Sequence, residues 1–321
     1  MVKQTNILIG VLVLQVCLAV GLMVTGTDSG AFVSEQQLLG VKLDELEKIT
    51  IEEKGNPPLL MSKGDGVWSL PEYFDFPVSS DKIDNIMDKL LDATVGWPVA
   101  TTQSAAKRFK VAPDDFEKKV VISDSNGTTK TLYLGTSPGF KKIHAKLDGD
   151  DNIYGINFGA YELATKPNDW ADQAYLKIEG EEITEIEMGD VALTRDGEIF
   201  QVKSLKDNEQ TNASKTSSLH SKLANLSFLE VLGKSDKPVY KQNEPELQYS
   251  VLLKGGDKIG VTISKFNDQD DYVLKPSNSE YYFKVAKHVV EGLDGFDRAS
   301  LVEAKAETQD KVPAPNDKEQ P

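Results

Sequence analysis

The 321-residue chain carries 36 basic and 51 acidic residues, a formal net charge of −15, and a single cysteine. That acidic field disfavours DNA, RNA and anionic lipid headgroups as partners. One cysteine, Cys17, gives no internal disulfide and no thiolate metal site, so packing must hold the fold together, and the length leaves room for about two domains.

Residues 7–24 are an uncharged run with a single amide, Gln15. At about 1.5 Å per residue, the run is close to the minimum for crossing a hydrocarbon core of about 30 Å. A cleaved signal has a shorter apolar core and ends in a small-x-small site, which Thr25-Gly-Thr-Asp-Ser-Gly-Ala31 offers only weakly. A lipobox needs a small residue directly before its cysteine, and Val16 precedes Cys17. Lys3 and the terminal amine before the run, with Asp28 after it, point the N-terminus inward. The chain therefore reads as a single-pass bacterial inner-membrane protein with a periplasmic body. Residues 1–27 are the cytoplasmic stub and anchor, and 28–42 are a polar linker. Gly10, Ala19 and Gly21 would allow close helix contacts in lipid, without small-xxx-small spacing.

The body opens with Leu46-Glu-Lys-Ile49-Thr-Ile51, an alternation that predicts a strand. Two more strands follow around the Gly64-Asp-Gly66 turn, at 59–62 and at Val67-Trp68-Ser69-Leu70. Pro77, Ser79 and Ser80 announce a helix whose apolar stripe is Ile83, Ile86, Met87, Leu90 and Leu91. A hairpin follows around Asn126-Gly127, then a strand pair at 143–146 and 152–156.

The second half repeats this order. Ile183-Thr-Glu-Ile186-Glu-Met188 has the spacing of the first strand, and 193–202 matches 60–70 with Phe200 in the place of Trp68. After a longer polar stretch, 206–215, Ser217 and Ser218 read as the cap of a helix bearing Leu219, Leu223 and Leu226. A hairpin around Gly255-Gly256 and a strand pair at 272–275 and 281–285 complete the series. Each half closes on an aromatic-plus-Asp signal, Trp170-Ala-Asp172 and Phe296-Asp297. The expectation is an α+β fold with an internal duplication of roughly 130 residues per copy. The copies are placed at 43–178 and 179–303, with a disordered acidic, Pro-bearing tail at 304–321.

Chemistry is harder to place. His144, His220 and His288 lie in different predicted elements, with no ligand spacing among them. No Gly-x-Ser-x-Gly, phosphate loop or His-Glu-x-x-His motif is present, and no one carboxylate pair stands out. Asp148-Gly-Asp150-Asp151-Asn152 loosely resembles the start of a calcium loop, but Ile153 replaces its glycine and no glutamate stands at the twelfth position. The equivalent turn at 267–271 is also acidic; both read first as solvated hairpin turns, with calcium as the alternative. Trp68, Trp170, Phe200 and Phe296 recur at matched positions, and read either as core plugs or as the lining of a peptide or glycan groove. No catalytic residue, metal site or cofactor site is assigned.

The anchor, the strand ending in Val67-Trp68-Ser69-Leu70, the capped helix Ser80–Leu91, the strand end Leu132-Tyr-Leu-Gly135 and the closing Trp170-Ala-Asp172 together resemble the domain of unknown function 4340 family. The resemblance runs from Leu43 to about Leu301. It implies a membrane-anchored auxiliary component of a gliding-motility-type ABC transporter system, with permease and ATPase subunits as partners and no established catalytic residues. The reading is a non-enzymatic scaffold in such an ABC-type export or motility complex. The alternative is a periplasmic peptide- or glycan-binding module, and an envelope hydrolase ranks last.

Overall fold

The computed structural model describes residues 10–16, 36–266 and 270–305. Residues 10–16 are helical and exposed; the rest of the stretch read as an anchor lies outside the described residues. No helix among the described residues is long and apolar enough to cross a membrane. The fold is α+β, with two eight-stranded antiparallel sheets and a few short helices.

The first sheet draws on strands β1 (Leu46–Glu53), β2 (Leu59–Gly64), β3 (Val67–Leu70) and β4 (Phe76–Pro77). Helices α1 (Ser80–Leu91) and α2 (Gln103–Arg108) intervene before β5 (Lys118–Asp124), β6 (Thr129–Leu134), β7 (Ile143–Leu147) and β8 (Tyr154–Ile156). Across the sheet the order is β8-β7-β6-β5-β1-β2-β3-β4. Local sequence explains these elements. Asp65 and Gly66 both take positive φ, 51° and 82°, the geometry of a tight hairpin turn whose twist matches its strands. In β3 the alternation buries Trp68 and Leu70 and exposes Val67. In α1 the whole stripe Ile83, Ile86, Met87, Leu90 and Leu91 is buried, as its spacing predicts.

The second sheet is built from β9 (Ile183–Met188), β10 (Val191–Asp196) and β11 (Ile199–Val202), then, after helix α3 (Ala213–Ala224), β12 (Glu230–Gly233). It continues with β13 (Leu247–Leu253), β14 (Lys258–Lys265), β15 (Tyr272–Pro276) and β16 (Tyr282–Val285). Helices α4 (Lys287–Asp294) and α5 (Arg298–Leu301) follow. The order is β11-β10-β9-β13-β14-β15-β16-β12. Read from β16 inward, its first seven strands follow the succession of the first sheet read from β8, with β12 added outside and no counterpart of β4. Register agrees too. Leu132 faces Val120 on one side and Leu147 on the other, as Val261 faces Tyr249 and Pro276.

The described residues divide into two compact units, one within 1–46, 51–56 and 86–163, the other within 47–50, 57–85 and 164–321. In the first, Thr102 caps α2 by accepting from the Ala105 N–H at 3.2 Å. Ala105 and Ala106 then pack with Val111, Ala112, Tyr133 and Ile153. The chain passes so close to Phe109 that a Cβ at Gly135 would sit 1.9 Å from the Phe109 carbonyl oxygen. In the second unit the Phe76 ring is the hub of an aromatic cluster, 4.9 Å from Tyr175 and Tyr281, 5.7 Å from Phe228 and 5.9 Å from Phe283. There the Ser264 hydroxyl donates to the Tyr240 carbonyl.

Two local expectations are corrected. Ser217 and Ser218 lie inside α3, whose cap is Asn212, accepting from the Lys215 N–H at 3.1 Å. A short amide side chain satisfies the first turn there, and the serines are left within the helix. Ala304, read as the start of the tail, is instead the end of a strand, because Val302–Ala304 pairs antiparallel with Glu209–Thr211; residues 306–321 lie outside the described residues. Within the stretch read as a linker, Gln36–Gln37 pairs with Thr94–Val95, and Leu38 and Leu39 are buried.

Candidate functional site

Three of the four aromatics singled out by their recurrence are buried. Trp68 and Phe200 hold the same place in the two sheets, each paired across its hairpin with a cation. Lys63 Nζ lies 6.0 Å from the Trp68 ring, and the Arg195 guanidinium lies 4.8 Å from the Phe200 ring. Trp170 is fully buried, its indole N–H donating to the Ala164 carbonyl at 2.9 Å, with Lys82 Nζ 5.3 Å from the ring. Phe296 is half-buried beside Asp297, which caps α5 in a reciprocal box with Ser300.

The histidines are likewise placed by packing. His144 is buried, with Nδ1 2.7 Å from the Thr136 carbonyl and its ring stacked on Phe109 at 4.0 Å. His220 Nε2 lies 2.9 Å from the Gly180 carbonyl, and His288 is exposed on α4. In the acidic turn, the Asp150 carboxylate accepts from both nitrogens of Asn152 at 2.9 Å, and Tyr133 donates to Asp148 at 3.3 Å. These bonds close the turn on itself. Of the second acidic turn, residues 267–269 lie outside the described residues, and Asp271 pairs with Lys284 at 2.9 Å. No group of three or more His, Cys, Asp or Glu side chains suited to a metal gathers among the described residues.

Among the perturbed carboxylates, Asp115 and Glu187 follow ion pairs, while Glu209 and Asp297 are held low first by backbone N–H groups. Lys110, 2.7 Å away, holds the Asp115 carboxyl below its usual range, and Lys258 does the same for Glu187. Glu209 is held low first by the Lys206 backbone N–H, at 3.0 Å, and then by Arg298. These exposed or half-buried pairs lie on strands, on turns and at the start of α5, a structural role.

The structure draws attention instead to residues the sequence reading passed over. In the first unit Trp97, Phe140 and Tyr161 are 67%, 89% and 76% exposed. Trp97 and Phe140 stand on structured loops, and Tyr161 on a single 3-10 turn, Ala160–Glu162. Trp97 lies between Thr94–Val95 and Val99, whose N–H donates to the Ile153 carbonyl at 2.7 Å. Phe140 tips a turn in which the Ser137 hydroxyl reaches the Gly139 and Lys142 carbonyls, each at 2.6 Å. Lys141 takes φ +53° there and sets Nζ 5.3 Å from the Phe140 ring. The Tyr161 ring lies over Gly159, where a Cβ would come within 2.4 Å of it. The signal in the sequence was slight: Gly96-Trp97-Pro98 and Gly139-Phe140-Lys141-Lys142, aromatics set among turn formers and charge.

The described residues of the second unit form a groove and a cavity at its sheet, besides an open concavity of about 510 Å³ beside Glu209, Asp297 and Arg298. An open groove of about 440 Å³ runs along the outer face of β13, β14 and β15, past Gln248, Ser250, Thr262, Lys275 and Ser277. A more enclosed cavity of about 270 Å³ lies among Leu176, Ile178, Leu226, Tyr249, Ile259 and Val261, with Lys177, Asn278 and Ser279 also in its lining.

Fold and surface together define a mixed α+β body of two antiparallel sheets with large aromatics presented on fixed loops. The model of the family described as Domain of unknown function (DUF4340) matches residues 68–245, more than half of the chain, and the chain belongs to that family. No curated protein and no solved structure matches it.

Proposed function

We propose that this protein is a membrane-anchored, non-enzymatic component that works by binding protein partners outside the cytoplasm. The observation that carries the proposal is the presentation of Trp97, Phe140 and Tyr161 to solvent on loops already tied down by hydrogen bonds and close packing. Large aromatics dominate binding energy at protein interfaces, and a loop fixed in advance loses little entropy when it docks. The net charge of −15 favours a basic partner surface. The apolar run at 7–24 supports the anchor, and the family resemblance supports an ABC-type export or gliding-motility-type assembly as the partner. The shared strand order and register of the two sheets support a duplication behind the body's architecture.

The test is affinity purification of the full-length chain from its own membranes in mild detergent, with co-purifying chains identified by mass. Recovery of a permease and an ATPase is expected, with a sharp loss in a Trp97→Ala/Phe140→Ala double variant that stays folded. A chain that purifies alone would remove the scaffold reading. A second reading, glycan or peptide binding, rests on the groove along β13–β15 with its hydroxyl, amide and ammonium groups, because Trp68 and Trp170 are buried. Isothermal titration with soluble cell-wall fragments, showing heat that Gln248→Ala abolishes, would support it.

A further inference from the structure

The hairpin that joins β5 to β6 turns at Asp124-Ser125-Asn126-Gly127-Thr128. The Gly127 N–H donates to the Asp124 carbonyl at 3.1 Å, and Gly127 takes φ +81°. The Asp124 carboxylate accepts from the Asn126 N–H at 2.9 Å and from the Thr128 N–H at 2.8 Å. Asn126 is exposed at the tip, and its side-chain amide makes no hydrogen bond among the described residues. Asn126-Gly127 is the only Asn-Gly pair in the sequence.

The second sheet makes the same turn without either side chain. Between β13 and β14 the Gly256 N–H donates to the Leu253 carbonyl at 2.9 Å. The Leu253 N–H donates to the Asp257 carbonyl at 2.9 Å, as the Asp124 N–H does to the Thr128 carbonyl at 3.0 Å. Gly255 stands where Asn126 does, and Leu253 where Asp124 does. The strand plan therefore asks for neither an amide at the tip nor a carboxylate at its base, and the first sheet has both together.

We propose that Asn126 is a site of spontaneous deamidation, and that Asp124 is the positioning residue that restrains it. Glycine has no side chain to crowd attack by its own nitrogen, and an exposed loop tip opens locally more readily than a packed strand. When the turn opens, the Gly127 nitrogen gives its proton to solvent and bonds to the side-chain carbonyl carbon of Asn126. The bond from that carbon to Nδ2 breaks, ammonia leaves with a proton returned by solvent, and a cyclic imide remains. Water then opens the ring at either carbonyl. Attack at the side-chain carbonyl gives aspartate, and attack at the backbone carbonyl gives isoaspartate. Nothing is oxidised or reduced, and water is the only co-reactant. While the turn is closed, the attacking nitrogen is held by the Asp124 carbonyl and the carboxylate pins the residues on both sides of it. The product sets a second carboxylate beside Asp124, in a turn whose Ser125 N–H donates to the Glu45 carbonyl at 2.9 Å. The site does not depend on the partner-binding reading.

The test follows the full-length chain in mild detergent at mildly alkaline pH. Mass spectrometry maps the peptide that holds residue 126, and isoaspartate is counted with the methyltransferase that labels it. Both products should accumulate at 126 in the wild type, faster as the pH rises. Asp124→Ala removes two hydrogen bonds from the closed turn and should speed conversion about fivefold or more. Asp124→Asn, whose side-chain oxygen still accepts, should stay close to the wild type. Asn126→Gly, which copies the second sheet, should form neither product. In urea that unfolds the chain, wild type and Asp124→Ala should convert at equal rates, which separates the folded turn from the local sequence. No conversion at 126, an unchanged rate in folded Asp124→Ala, or a difference that persists in urea would overturn the proposal.

Discussion

The two sheets share strand order and register, yet they solve the same crowded crossing in different ways. After β6 the chain runs so close to Phe109 that only glycine, Gly135, fits beside its carbonyl. At the matching place in the second sheet, Ser264 is buried and turns its hydroxyl into a donor to the Tyr240 carbonyl. One sheet relieves the crowding by having no side chain, the other by converting the contact into a hydrogen bond. A shared backbone plan thus constrains where chains must approach, and leaves open which chemistry makes the approach tolerable.

Substitutions can break that comparison. Gly135→Ala should cost more than about 3 kcal/mol, because the new methyl meets backbone that cannot move aside, whereas Ser264→Ala should cost about 1–2 kcal/mol for a lost buried hydrogen bond. Denaturant unfolding of the two variants would measure the gap; equal losses would show that the two crossings are not equivalent. Next in size is Trp68→Phe, which gives the first sheet the residue already used by the second at Phe200. It should cost about 1–2 kcal/mol, the scale of a small cavity in an intact core, with native circular dichroism retained.

Titration sharpens the contrast between Val120 and Tyr249. The folded-state pKa of Tyr249 is raised above its ordinary value of 10.0, so its contribution is fully present below that pH and is lost as the unfolded chain ionises above it. Tyr249→Phe should therefore retain more stability than the wild type above pH 10, while Val120 offers nothing to titrate. The smallest effect belongs to the surface. Asp115 in the first unit and Glu187 in the second have lowered pKa values, so their stabilisation holds above about pH 4.5 and fades as the pH falls through the folded values. Asp115→Asn and Glu187→Gln should each flatten the loss of stability between pH 5 and pH 3 slightly, and added salt should shrink the difference further.

Much of the fold was legible because strands and helices write their buried faces as periodicity. The α1 stripe, the hairpins at Gly127 and Gly256 and the matching of Trp68 with Phe200 all follow from spacing. The same alternation that marked Trp68 as recurrent also implied that it faces the core. Loops carry no period, so the exposure of Trp97, Phe140 and Tyr161 could not be read from their neighbours. Nor could the pairing of Glu209–Thr211 with Val302–Ala304, which spans too great a distance along the chain for any local signal. Asn212 was passed over for the Ser217-Ser218 pair because both are acceptable caps, and only tertiary packing decides where the helix begins.

The placement of β12 has a consequence for how the chain is made. Glu230–Gly233 precedes β13 in sequence but hydrogen-bonds to β16, so Glu230 finds its partner only when Lys284 has been made. Glu209 waits longer still, for Ala304. Contacts of such sequence separation are slow to close, because loop entropy is lost before any bond is gained. The second half should thus complete its outer strands last, after chain synthesis has passed Ala304. Until their partners are made, β12 and the 209–211 segment offer open strand edges, the features through which incompletely folded chains aggregate.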